Sequence, residues 1–150
     1  MRPWQYLSIF SWITVIIGCG ESDSGPPLAP VTGKIIWKGE PLPGCAVKFV
    51  PADGTVGWGG HAMTNDAGEY KLLEAKTARL GVQPGSYRVV LSRRLMPDGS
   101  RVPAGDRTAP IESPAIESLP PAYSDLQNSI LMVTIPAEGG VFDFSLPNKS

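Results

Sequence analysis

Two cysteines and one histidine are all that this 150-residue chain offers of the side chains that most often hold transition metals or pair as nucleophile and base. A structural zinc usually takes four Cys or His ligands, so the chain is read as holding no metal and no cofactor. Charge of one sign is missing as well. Thirteen Lys and Arg against 14 Asp and Glu leave a formal net charge of -1, with no basic patch. That argues against nucleic acid as a partner, because such binding needs an electropositive footprint. Long apolar runs are also lacking. The one sustained run, Leu7–Ile17, would extend about 16 Å as a helix, against a bilayer core of about 30 Å. Glycine and proline, in contrast, are plentiful at 17 and 16, and they are spread along the chain. They punctuate it into many short strands with frequent turns, within one modest domain.

The stretch Val31–Pro51 sets the pattern. Val31, Gly33, Ile35 and Trp37 alternate with Thr32 and Lys34, and only Ile36 breaks the rhythm. After the Gly39–Gly44 connection, Cys45, Val47 and Phe49 share one parity against Lys48. A period of two marks half-buried strands, since successive side chains point to opposite faces of a sheet. The same alternation recurs with Tyr70 and Leu72, with Tyr87, Val89 and Leu91, and with Phe142, Phe144 and Leu146. His61–Thr64 and Ser129–Ile135 complete the expected strands, and Asn65–Gly68 reads as a turn in which Asp66 bonds nearby backbone. Leu73–Leu80 is too short for an independent helix and is expected to be one helical turn or an irregular loop. Leu119–Asp125 is expected to be extended. Four prolines break up Arg93–Ser118, where four arginines balance four acids, and a mobile loop is expected there.

The N-terminus reads differently. A basic start at Arg2 precedes the short apolar run, the pattern of a secretory signal. The run ends Ile16-Ile17-Gly18-Cys19, which resembles the lipobox of bacterial lipoproteins. That resemblance implies cleavage after Gly18, with Ile16, Ile17 and Gly18 recognised, and diacylglycerol on the Cys19 thiol, usually followed by acylation of the new amine. Each buried methylene contributes about 0.8 kcal/mol, so two or three chains hold a membrane where one does not. Gly20 stands where the inner-membrane retention signal of enteric bacteria has Asp. The domain division is then a signal peptide at 1–18, lipidated cysteine and tether at 19–30, and a β-domain at 31–150. With three prolines and no periodicity, Glu21–Pro30 is expected to be an extended spacer reaching about 30 Å. Lipidation of Cys19 would leave Cys45 without a partner, a small buried hydrophobe on the inward parity of its strand.

The order of motifs resembles the carboxypeptidase regulatory-like domain, a prealbumin-like β-sandwich, in the small bacterial lipoproteins that carry only that domain. The residues that carry it are Val31-x-Gly33-x-Ile35, Gly39-x-Pro41-Leu42-Pro43-Gly44-x-x-Val47-x-Phe49-x-Pro51, Thr64-Asn65-Asp66-x-Gly68-x-Tyr70, Pro84-Gly85-x-Tyr87-x-Val89 and Leu119-Pro120-x-x-Tyr123-Ser124-Asp125. The resemblance implies an all-β, seven- or eight-stranded antiparallel sandwich without catalytic activity. No H-x-x-E zinc pair and no Gly-x-Ser-x-Gly nucleophile context is present. The leading expectation is a lipid-anchored envelope protein, facing the periplasm or the exterior, whose sandwich is structural or binds another envelope protein. A second is a carbohydrate-binding module that uses Trp58 in the glycine-rich loop Ala52–Gly60, although the indole is expected to fold over the sandwich end. A third is a small enzyme acting through His61 and a nearby carboxylate such as Asp66. Trp58 and His61 are therefore the candidate ligand-binding residues.

Overall fold

The computed structural model describes residues 25–103 and 105–147. The stretch 1–18 expected to be a signal peptide, the expected recognition residues Ile16, Ile17 and Gly18, and the expected lipidation site Cys19 lie outside the described residues. In chain order the first strands are β1 (Val31–Trp37), β2 (Glu40–Pro41), β3 (Ala46–Ala52), β4 (Gly60–Met63), β5 (Glu69–Lys71) and β6 (Leu73–Glu74). There follow β7 (Gly85–Ser92), β8 (Arg94–Leu95), β9 (Ile116–Glu117), a single helical turn α1 (Pro121–Ser124), β10 (Met132–Ile135), β11 (Gly140–Val141) and β12 (Phe144–Leu146). The protein is an all-β sandwich. One sheet is built on β1, with β2 and β5 along one side and β11 and β12 along the other; the second runs β10-β7-β3-β4-β6.

Alternation places the core between the sheets. Val31, Ile35, Tyr70, Phe144 and Leu146 come inward from the first sheet, and Val47, Phe49, Tyr87, Val89 and Leu91 from the second. Phe49 sits at the centre, its ring 6.0 Å from that of Tyr87 and 6.4 Å from those of Tyr70 and Phe144. Such tilted and edge-on pairs add to the area they bury. Cys45, just before β3, is fully buried and free.

The structure departs from the sequence reading at definable places. β1 pairs parallel, not antiparallel, with β11 and β12, because the last strand arrives from the other sheet by a crossover rather than a hairpin. Among the described residues twelve short segments carry the pairing, where the family resemblance implies seven or eight strands; Val141–Leu146, for instance, is interrupted at Phe142 and Asp143. Leu73–Leu80 forms no helix. β6 pairs with β4, and the Glu74 N–H to Arg79 carbonyl bond of 2.8 Å closes a tight turn, so sheet pairing overrides local helix preference. Leu119–Asp125 is not extended throughout: Pro121 opens α1, where a fixed φ and a missing N–H cost a helix nothing. The turn buries Tyr123 edge-on to Trp37 at 6.1 Å.

The 93–118 excursion is fastened at its base. Glu117 accepts from Ser92 Oγ at 2.6 Å and from the N–H groups of Arg93 at 2.9 Å and Leu119 at 3.0 Å, while β8 pairs with β9. In the 65–68 turn the backbone-binding role belongs to Asn65, whose Oδ1 accepts from the N–H groups of Ala67 and Glu69, both at 2.9 Å. Asp66 instead pairs with Arg101 at 3.0 Å on the surface. Gly68, at φ +75°, closes that turn, and its carbonyl accepts the Ile35 N–H at 2.9 Å. Thr64 then ties this corner to the start of β3: its hydroxyl donates to the Leu42 carbonyl at 2.6 Å and accepts from Cys45 N–H at 2.8 Å.

Gly33 is needed for its missing side chain. Tyr70 is its partner across β1–β5, and the Tyr70 hydroxyl donates to the Phe142 carbonyl, 2.7 Å away on the far side of β1. A Cβ on Gly33 would lie 1.9 Å from that carbonyl oxygen and 2.8 Å from Tyr70 Cε1. Gly33→Ala is therefore expected to destabilise the fold by about 3 kcal/mol, since backbone and not a yielding side chain blocks the methyl. Tyr70→Phe keeps the ring and leaves the Phe142 carbonyl unpaired, costing about 1–3 kcal/mol. Urea unfolding of both variants checks this. A Gly33→Ala protein as stable as the parent would show that the close approach does not matter.

Candidate functional site

β4 and β5 leave the 65–68 turn in different sheets, and where they part the surface opens into a groove of about 1070 Å³. Its chemistry follows from strand parity. The alternation that turns Gly33, Val47 and Tyr70 toward the core turns Lys34, Lys48 and Lys71 to its rim. His61 and Met63 join them from β4, and Glu69 and Asp143 supply the acids. Three lysines against two carboxylates leave a small positive excess. Asp143 is partly engaged, since its Oδ1 accepts the Lys34 N–H at 2.8 Å. The Asn65 amide reaches Glu69 at 3.3 Å. Open, mixed in charge and edged by exposed Met63 and Val141, the groove suits a broad macromolecular contact better than an enclosed small molecule.

His61 lies exposed on β4, opposite Lys48 on β3 and Leu73 on β6. Among the described residues no hydroxyl, thiol or carboxylate is hydrogen-bonded to its imidazole. The acid–base pairing with Asp66 considered from sequence is not assembled, because Asp66 is held by Arg101 and does not line the groove. Among the described residues no three His, Cys, Asp or Glu side chains come together as a metal would require.

Trp58 departs from expectation. Its indole does not fold over the sandwich end but stands 62% exposed, with Lys76 Nζ 4.7 Å from the ring centroid. It does not line the groove that holds His61, so the two candidate residues occupy separate surfaces. The loop geometry that lifts Trp58 comes from its partners: Ala75 N–H donates to the Gly59 carbonyl at 3.0 Å, which brings the 75–78 turn alongside. No pattern within Ala52–Gly60 itself signals that contact.

Cys45 has the opposite character. Burial pushes its thiol up to about 12, the Glu117 carboxylate adding to the effect, so it is protonated and inert in the folded protein. Burial likewise raises Tyr70, helped by Asp143, and Tyr87, helped by Glu74. Each group holds its proton more tightly folded than unfolded, so raising the pH favours unfolding. Stability should be level up to about pH 8, fall above the ordinary thiol value of about 8.5, and fall faster above about 10, with each group contributing up to about 1.4 kcal/mol per pH unit. Cys45→Ala should remove the earliest part of that decline. Thermal unfolding across pH 7–11 checks it, and an unchanged onset in the variant would contradict it.

Neither a protein-family model, nor a curated protein, nor a solved structure matches this chain.

Proposed function

We propose that this protein is a lipid-anchored, non-enzymatic lipoprotein of the bacterial cell envelope. Its β-sandwich serves as a structural or protein-interaction module of the carboxypeptidase regulatory-like kind. The observation that carries the reading is Ile16-Ile17-Gly18-Cys19, placed directly behind a basic start and a short apolar run. The folded domain supports it from the other side. The described chain approaches the sandwich through Pro26 and Pro27, but Ala29 is packed in the core and Ala29 and Pro30 bond the sandwich. The domain thus begins before Val31, and the link back to Cys19 is shorter than the Glu21–Pro30 spacer expected from sequence.

The non-enzymatic part rests on what the reactive side chains are doing. Cys45 is buried and protonated, His61 is exposed in a wide groove, and Asp66 is held by Arg101. The groove between β4 and β5, with its lysine rim and exposed Met63 and Val141, is the surface offered to a protein partner. The exposed ring of Trp58 favours a second reading, a platform for envelope polysaccharide, against which stands the Lys76 ammonium already seated over the ring.

The anchor is tested by the intact mass of protein extracted from membranes. The expected mass is that of residues 19–150 plus diacylglycerol, with or without a further acyl chain, and Cys19→Ser should abolish the modification and leave the precursor unprocessed. Retention of residues 1–18 in the native protein, or an unmodified soluble product, would overturn the reading. For the second reading, Trp58→Ala should weaken retention on envelope polysaccharide; unchanged retention would discard it.

A further inference from the structure

The end of the sandwich that receives the N-terminal link also carries its largest exposed aromatic side chain. Ala29 exchanges backbone bonds with Val82, at 2.7 and 3.0 Å, and the Pro30 carbonyl accepts the Gly140 N–H at 2.9 Å. Just upstream, Arg79 Nη1 donates to the Pro26 carbonyl at 3.4 Å. Pro26 and Pro27 share a hollow with Val56, Gln83 and Pro84, and Gly57 lies against the Gln83 side chain. The incoming chain, the 54–58 loop and the 75–80 turn thus meet at one end of the domain.

Three apolar side chains stand out there. Val56 is 79%, Trp58 62% and Leu80 66% exposed, and Lys76 and Arg79 are interspersed with them. Opposing charge at this end comes from Asp53, while Glu74 is buried and accepts from Thr77 Oγ1. An indole with a lysine beside it, flanked by aliphatic residues, is the composition that settles at the boundary between headgroups and acyl chains.

We propose that this face, Val56, Trp58 and Leu80 with Lys76, docks on the surface of the membrane in which the protein is anchored. The inference rests on lipidation of Cys19. The distance argument is covalent: from Cys19 to Gly25, the first described residue, a fully extended chain spans about 20 Å. From Gly25 the chain runs directly into the Val56 hollow and the Ala29–Val82 pairing. An anchored copy therefore keeps this end within reach of the headgroups, and the bilayer is the partner always at hand. Trp58, Val56, Leu80 and Lys76 do not line the groove between β4 and β5, which is left free for other contacts. Docking places the three apolar side chains about 5–10 Å into the interface, the depth typical of surface-bound apolar groups.

The test uses mature, lipidated protein reconstituted in vesicles of phosphatidylethanolamine and phosphatidylglycerol, with and without brominated acyl chains as quenchers. Trp37 emits too, so Trp58→Phe isolates the contribution of Trp58 as a difference. The native protein should lose emission in brominated vesicles and the Trp58→Phe protein should lose much less; Leu80→Ser, which leaves Trp58 in place, should weaken the quenching. Native protein that floats with the vesicles but is quenched no more than Trp58→Phe would overturn the docking while leaving the anchor intact. Failure to float would overturn the anchor, and the docking with it. Trp58 emission that responds to added envelope polysaccharide and not to brominated lipid would overturn the proposal in favour of sugar binding.

Discussion

The first sheet depends on one hydrogen bond made across a missing side chain. Tyr70, on β5, reaches over Gly33 in β1 and donates to the carbonyl of Phe142 on the other side. Phe142 lies at the interruption between β11 and β12, where the ladder to β1 lapses, and its N–H also finds the Thr32 carbonyl at 2.7 Å. The tyrosine thus satisfies a carbonyl at the break in strand pairing and seats its own ring against Phe49. Burial of that ring and capture of that carbonyl are the same event, which couples the sheet's hydrogen bonding to the core between the sheets.

Other polar groups repeat this economy at the joints. Thr64 binds Leu42 and Cys45, Ser129 donates to the Val89 carbonyl at 2.5 Å, and the Tyr87 hydroxyl turns back to the Gln83 carbonyl at 2.6 Å. The last resembles the tyrosine corner of sandwich domains, in which a strand is locked to the backbone just upstream. Thr64 joins two connections, and the Ser129 and Tyr87 bonds join β7 to connections. Short strands supply few ladder bonds, so side chains at the corners hold the geometry. Surface ion pairs such as Arg101–Asp66 add little, because both partners stay solvated.

The two candidate surfaces follow from the same architecture. The end that receives the N-terminal link carries Trp58, Val56 and Leu80, and the groove with the lysine rim opens where β4 and β5 part. Strand parity explains the groove's rim, where Lys34, Lys48 and Lys71 stand because their parity keeps them out of the core. The Trp58 face arises from loops, where no parity operates.

By itself the sequence determined the all-β class, most of the long strands and their inward residues. Period-two alternation in Val31–Trp37, Cys45–Phe49, Tyr70–Leu72 and Tyr87–Leu91 is a local property, and burial followed it except at Trp37, which is half-buried. It also marked the 65–68 turn and the burial of Cys45. Only the tertiary structure decided that the last strand runs parallel to β1, that Leu73 and Glu74 join a sheet, that Pro121 starts a helical turn and that the Trp58 ring faces solvent. Each of these turns on a partner distant along the chain, and a local pattern carries no information about which neighbour will arrive. Gly33 shows the division most plainly. Its place in the alternation is legible, but the reason it must be glycine is a carbonyl at Phe142, more than a hundred residues away.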